Sequence, residues 1–319
     1  MKKYLILSAA LLLAMTACNN GEEATGNSAE DTPVSFTASI AGQQTSRAFN
    51  QTWEKGDKIG ISGTSGTVAY TNVAYETKNG DGNFAIVEGG TRIYYQTTDP
   101  VTFTAYYPQT TLADGVTTIS ADTREQSAQN NFDFLWAQGT GRKSAKNVAF
   151  SFTHRMAKLA LTIKAGAGVS YEEVKAAKLM LSDYLYKGTF DITTGTAIAE
   201  AETTAEYKQF ANNTEAEAAY NAPSIIDEEG KTVTYSLILF PQGFTTKSMT
   251  FGAELAQTLS VSLDFTTANT AAGDSDAKNE LIAGRQYNLS IMLNKTEATV
   301  TGCTISKWEE ADGGEFSAD

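Results

Sequence analysis

The sequence is poor in the residues that most often carry chemistry. It has one histidine, His154, and two cysteines, Cys18 and Cys303. One imidazole and two distant thiols do not supply the ligand set of a zinc site. No Gly-x-Ser-x-Gly elbow occurs, and no local Cys–His or Ser–His arrangement. Carboxylates are plentiful but scattered, and nothing in their spacing points to a glycosidase pair. No catalytic residue, metal or cofactor is therefore expected. Cations are short as well: 24 Lys and Arg stand against 37 Asp and Glu, a formal charge of −13. An acidic surface argues against nucleic acid as a partner and against electrostatic attachment to anionic lipid. Long apolar runs are also missing, since none reaches the roughly 20 residues needed to span a bilayer.

What is present begins at the N-terminus. Lys2 and Lys3 precede Tyr4-Leu5-Ile6-Leu7-Ser8-Ala9-Ala10-Leu11-Leu12-Leu13-Ala14, followed by Met15-Thr16-Ala17-Cys18. A basic start, a short apolar stretch and small residues before a cleavage point read as a secretory signal over residues 1–17. Removing it with its two lysines would take the charge from −13 to −15. Thr16 and Ala17 directly before Cys18 resemble the bacterial lipobox, in which the thiol is acylated by lipid such as palmitate. Diacylglycerol plus an amide-linked chain would anchor stably, whereas one chain binds only marginally. With Cys18 lipidated, Cys303 has no intrachain partner. It reads as a small buried apolar residue, or as a reactive or intermolecular thiol. Residues 18–33 are polar and acidic without periodicity, a flexible tether ending at Pro33.

Strand signals then dominate. Val34-Ser35-Phe36-Thr37-Ala38-Ser39-Ile40 alternates, with Val34, Phe36, Ala38 and Ile40 on one face. Asn79-Gly80-Asp81-Gly82-Asn83 is a strong turn before Phe84-Ala85-Ile86-Val87. Val101 to Tyr107 alternates and stops at Pro108, and Asn147 to Phe152 ends the first half. The second half repeats the style through Leu159-Ala160-Leu161-Thr162-Ile163, Leu259 to Phe265 and Tyr287 to Leu293. Val233 to Phe240 is the most apolar strand and is expected at the centre of its sheet. Helical pattern is confined to residues 171–178 and, less distinctly, 203–219. Many short strands and 319 residues imply an all-β chain of two β-sandwich domains, residues 34–153 and 154–319.

Three further features have bland readings. His154, in Phe152-Thr153-His154-Arg155-Met156, reads as a buried, hydrogen-bonded structural residue. Gly273-Asp274-Ser275-Asp276-Ala277-Lys278-Asn279-Glu280 faintly resembles a calcium loop, but Lys278 replaces an oxygen ligand and the loop glycine is missing. Tyr94-Tyr95 and Tyr106-Tyr107 suggest an aromatic binding surface, although strand neighbours point to opposite faces. Thr45-Ser46-Arg47-Ala48-Phe49 is a polar linker whose arginine is open to a trypsin-like protease, or is simply a surface arginine.

The order of these segments resembles the fimbrillin family of Gram-negative surface pili. The likeness runs through the lipobox, the early strand, Arg47-Ala48-Phe49 and Trp53-Glu54-Lys55-Gly56-Asp57-Lys58-Ile59-Gly60-Ile61. It continues in Val101 to Pro108, Asp133-Phe134-Leu135-Trp136-Ala137, Phe152 to Leu159, Gly284-Arg285-Gln286-Tyr287-Asn288-Leu289 and Ile305-Ser306-Lys307-Trp308. The resemblance implies two tandem transthyretin-like sandwiches with Greek-key-type antiparallel sheets and a structural or adhesive role without enzymatic activity. It also implies a lipid-anchored precursor at the outer membrane, cut by an arginine-specific protease between Arg47 and Ala48. The strand carrying Val34, Phe36, Ala38 and Ile40 would leave, and a strand from another fimbrial subunit would fill the exposed groove, head to tail. Partners would then be other subunits in a surface fimbrium and a host or bacterial surface receptor.

This chain's own donor strand would lie within 299–308 or its extension 309–319. That extension is acidic, with Phe316 its one large apolar residue, which suits a tip or accessory subunit better than a stalk repeat. The competing reading is a surface lipoprotein at the outer membrane that never polymerises and binds glycan or peptide.

Overall fold

Apolar–polar alternation becomes strand almost segment by segment. Val148, Phe150, Phe152 and His154 are buried along Asn147–His154, and Ala157, Leu159, Leu161 and Ile163 along Ala157–Ala165. Period-two burial of this kind leaves one face for the core and one for water. The computed structural model describes residues 32–41, 52–200 and 208–308, and Cys18, Arg47 and Ala48 lie outside them. The described chain is all-β apart from short helical segments such as Tyr171–Ala176. That helix has a capping box in which Ser170 Oγ accepts from Glu173 N, and Ser170 N donates back to the Glu173 carboxylate.

In the first half, seven strands close on themselves. Their order is Asn147–His154, Ser35–Ile40, Asn83–Ile86, Val68–Glu76, Lys58–Ser65, Val101–Tyr107 and Leu135–Gly141. Closure depends on Asn147–His154, which changes partner along its length. Residues 147–152 pair with the first strand, and Thr153 and His154 pair with Trp136 and Leu135. The two faces of the expected sandwich are thus joined at both edges, and their inner side chains form one core.

The second half is a five-stranded sheet facing a four-stranded one. The first runs Ser224–Asp227, Thr232–Leu239, Ala157–Ala165, Arg285–Leu293, Ala298–Lys307, and the second Lys208–Ala211, Lys178–Ser182, Thr250–Glu254, Thr258–Ser262. Leu159, Leu161 and Ile163 from one meet Leu179, Leu181 and Phe251 from the other in a single core. The centre of the five-stranded sheet is Ala157–Ala165; the 233–240 segment, expected there, lies one position outward. Both are heavily buried, so apolarity alone does not order them.

The expectation of purely antiparallel sheets is corrected at two places. Ser35–Ile40 runs parallel to Asn147–His154, and Ala157–Ala165 runs parallel to Arg285–Leu293. Each pair is separated by about a hundred residues or more in the chain, long enough for the crossover that parallel neighbours require. The tether also ends earlier than expected. Thr32 and Pro33 already pair with Tyr95 and Tyr94, and Val34 N donates to Ile93 O, because Val34 is drawn into the core.

A third sheet, Thr196–Ala199, Lys187–Asp191 and Thr118–Asp122, takes strands from both halves. Beneath it lies a shared cluster that includes Tyr106, Phe134, Phe190, Ile238, Phe240 and Trp308. Phe134 and Phe190 stack with centroids 4.5 Å apart. Gln126, 2% exposed, bonds both the N–H and the carbonyl of Ile238 with its one amide, at 3.0 and 2.9 Å. Losing that amide leaves two buried backbone groups unmet, each costing about 1–3 kcal/mol. Gln126→Ala is expected to lower unfolding stability by roughly 2–4 kcal/mol in urea titration, and a loss under about 0.5 kcal/mol would contradict this account of the joint.

Candidate functional site

The first strand fills a slot in the barrel. Val34, Phe36 and Ile40 are buried at 5%, 2% and 4% exposure, while Ala38 is half-buried. Phe36 is the centre of the packing. Its ring meets Tyr75 edge-on at 4.9 Å and Phe103 at 5.5 Å, and lies parallel to Phe150 at 5.8 Å. Burying three such side chains contributes about 1.5–3 kcal/mol each. Aromatic contact geometry adds about 0.5–1.5 kcal/mol for a pair.

The backbone is held unequally at the strand's two edges. Against Asn147–His154 the register runs for six residues, Ser35 to Ile40, and Ala41 N continues it to Phe152 O. Against Asn83–Ile86 only Phe36 and Thr37 are paired. The rest of that edge is met by local groups. Ala38 N donates to Gly82 O, and Trp53 Nε1 donates to Ala38 O at 2.9 Å. Gly82, with φ +75°, lies so close that an added Cβ would collide with Ala38 O. A glycine is needed there both for the turn and for the approach of the strand. Trp53 covers the end of the slot against Phe84, Tyr107 and Phe152.

The other sequence candidates fall elsewhere. His154 is buried, with Nδ1 2.8 Å from Asp133 Oδ1 and its ring stacked on Trp308 at 4.0 Å. Lys158 lies nearby, and burial pushes its ammonium below its ordinary range while Asp133 pulls the other way. The aspartates of the 273–280 loop are turned to cations, Asp274 to Arg285 at 2.9 Å and Asp276 to Lys278 at 3.3 Å. The tyrosine pairs form no common surface. Tyr95 is buried in the barrel core, Tyr106 joins the shared cluster, and Tyr107 packs on Trp53. The 299–308 segment is already in use: Ala298–Lys307 is an edge strand paired with Arg285–Leu293, and Trp308 is fully buried.

Two contributors to the slot were not visible in the sequence. Nothing in residues 147–152 marks them as the parallel partner of a strand more than a hundred residues earlier. Trp53 is noticeable as a residue type, but its hydrogen bond to Ala38 follows from tertiary approach.

These features define an all-β structural protein whose first core is closed by its own N-terminal strand. The chain belongs to the fimbrillin-like family, whose model matches residues 46–308. It is 32% identical over 205 residues to a candidate fimbrium subunit, Fim1C, of Bacteroides uniformis, spanning 61% of this chain and 67% of that one. A solved candidate cell adhesion protein from Bacteroides uniformis shares the fold with a TM-score of 0.65 at 24% identity, over 87% of this chain and 99% of its own. One from Bacteroides ovatus gives 0.64 at 23%, over 88% and 99%.

Cys303 sits on the edge strand opposite Leu289, packed against the second core. Burial, aided by the Asp264 carboxylate, pushes its thiol up to about 11. At about pH 8 roughly one molecule in a thousand would carry the thiolate, against about a quarter for an ordinary cysteine. Iodoacetamide labelling of Cys303, followed by peptide mapping, is expected to be slow there and to rise about tenfold per pH unit up to about pH 10. Labelling at the rate of a free thiol at about pH 8 would contradict the burial.

Proposed function

We propose that this chain is a surface fimbrial subunit delivered as a lipoprotein through Cys18 and assembled by strand exchange. Cleavage between Arg47 and Ala48 by an arginine-specific protease opens the first sandwich, and a neighbouring subunit's strand replaces Val34 to Ile40. The observation that carries this reading is the slot. Residues 42–51 are the only covalent link between the first strand and Trp53, so a cut at Arg47 leaves that strand held by side-chain burial and ladder bonds alone. The family match starting at Ser46 leaves the first strand outside the shared region.

Energetics favour replacement over simple loss. A vacated slot exposes Phe84, Phe103 and Phe150 together with the unpaired ladder of residues 147–152, and several kcal/mol of burial would go uncompensated. An incoming strand therefore has to present apolar side chains at alternate positions, as Val34, Phe36 and Ile40 do. Residues 309–319 of this chain offer only Phe316, and 298–307 are committed to their own sheet. In this reading the barrel half of the chain is the acceptor of a strand, as in a tip, accessory or stalk subunit. The division into transthyretin-like units at 34–153 and 154–319 belongs to the same proposal, with the barrel half as the acceptor. So does contact with a host or bacterial surface receptor once the subunit is displayed.

N-terminal sequencing of filament material should give Ala48 as the first residue, and cells making Arg47→Ala should keep lipidated monomers at the membrane. Normal filaments from that variant, or assembled subunits still starting at acylated Cys18, would overturn strand exchange.

A further inference from the structure

Ser224–Asp227 forms one outer edge of the five-stranded sheet in the second half of the chain. It lacks the alternating burial of its neighbour Thr232–Leu239. All four residues are exposed, and two are isoleucines, Ile225 at 62% and Ile226 at 53%. Ile225 lies opposite Thr234, and Ile226 lies opposite the buried Val233, on the core side of the sheet. On that side a cavity of about 320 Å³ opens among Ile226, Val233, Tyr235, Ala222 and Ser224. Edge strands left to water are normally guarded by charge, so apolar side chains on both faces of this one point to a neighbouring strand.

The ladder of this strand is open on its outer side. Ser236 N donates to Pro223 O, and Ser224 lies opposite Tyr235, so Pro223, Ile225 and Asp227 turn their peptide groups toward Thr232–Leu239. The N–H and C=O groups of Ser224 and Ile226 therefore face outward, where no strand pairs with them among the described residues. The usable edge is short. Before it, Pro223 has no N–H and Ala222 N already donates to Phe210 O. After it, Asp227 Oδ1 accepts from Glu229 N and Gly230 N in a turn. What remains is a window of four residues.

That window is complementary to itself. A two-fold axis between copies sets the two edges antiparallel. With the axis at Ile225, Ser224 faces Ile226 of the second copy and Ile226 faces its Ser224, each pair exchanging both ladder bonds. Ile225 then faces Ile225 across the axis. Moving the axis to Ser224 or Ile226 leaves one outward residue facing a position beyond the window. Charge permits the central register. The two Asp227 side chains stand four residues apart, about 13 Å along the strand, beyond the roughly 8 Å screening length at physiological salt. Glu228 is turned to Lys175 of its own chain at 3.4 Å. We propose that Ser224–Asp227 is a lateral contact with a second copy of this chain, joining the two five-stranded sheets edge to edge. Each Ile226 then lies beside Ser224 of the other copy, at the mouth of that copy's cavity. Four residues on each side fall far short of the roughly 20–30 of a standard interface, so the contact is weak in dilute solution and fills where copies are concentrated.

None of these residues belongs to the first strand or its slot, so the proposal stands or falls independently of strand exchange. The test is sedimentation velocity on the unacylated chain from Asn19 onward, from about 10 μM to about 1 mM. A shift from monomer toward dimer is expected across that range. Ile225→Lys sets like charges opposite each other at an exposed position, and is expected to cut the dimer about fivefold or more at an unchanged melting temperature. Ile225→Cys is expected to form a disulfide dimer in a glutathione redox buffer about tenfold faster than Val116→Cys, since facing residues of such a pair lie about 4.5 Å apart at Cα. Val116 is exposed and lies away from the edge. A monomer throughout the range, a dimer indifferent to Ile225→Lys, or equal cross-linking of the two cysteine variants would overturn the proposal. Hydrogen-exchange protection of the Ser224 and Ile226 amides in a chain that stays monomeric would also overturn it, and would assign the edge to a segment of the same chain.

Discussion

The barrel half depends on the packing of Phe36 among Tyr75, Phe103 and Phe150. Those three rings come from strands far apart in sequence, and Phe36 is the side chain they share. The first strand also supplies the parallel partner of Asn147–His154, which in turn closes the ring by switching to Leu135–Gly141. One short segment therefore completes both the core and the hydrogen-bond circuit. A core finished by a terminal strand has a property that a core finished by a central strand lacks. The finishing piece can be exchanged without rethreading the chain.

The second half is built differently. Its two sheets enclose a core without help from the N-terminus, and Trp308 closes the shared cluster by stacking on His154. Gln126 and the Phe134–Phe190 stack bind the halves into one compact unit from Thr32 onward. Opening of the slot, as proposed, would thereby be confined to the barrel.

Much of this was legible in the residues. Alternation from Val34 to Ile40 announced a half-buried strand, and the Asn79 to Asn83 turn announced the hairpin that meets it, because period-two burial and glycine turns are local properties. Direction of pairing was not legible. Parallel or antiparallel placement of Ser35–Ile40 depends on a partner more than a hundred residues away, and the same side-chain pattern serves either. The central position of Ala157–Ala165 over 233–240 was hidden for the same reason: both read as apolar strands. His154 could be read as structural from its isolation, but its stacking on Trp308 joins two segments that no spacing connects.

The central claim is that the first strand is an exchangeable plug. Its most direct test is native mass spectrometry of the purified chain, cut between Arg47 and Ala48 and incubated with an isotopically labelled peptide of residues 32–41. The account predicts that the labelled peptide replaces the cut strand, and that the same peptide carrying Phe36→Ala does not. Retention of the original fragment with no uptake of label, or equal uptake of the Phe36→Ala peptide, would contradict it.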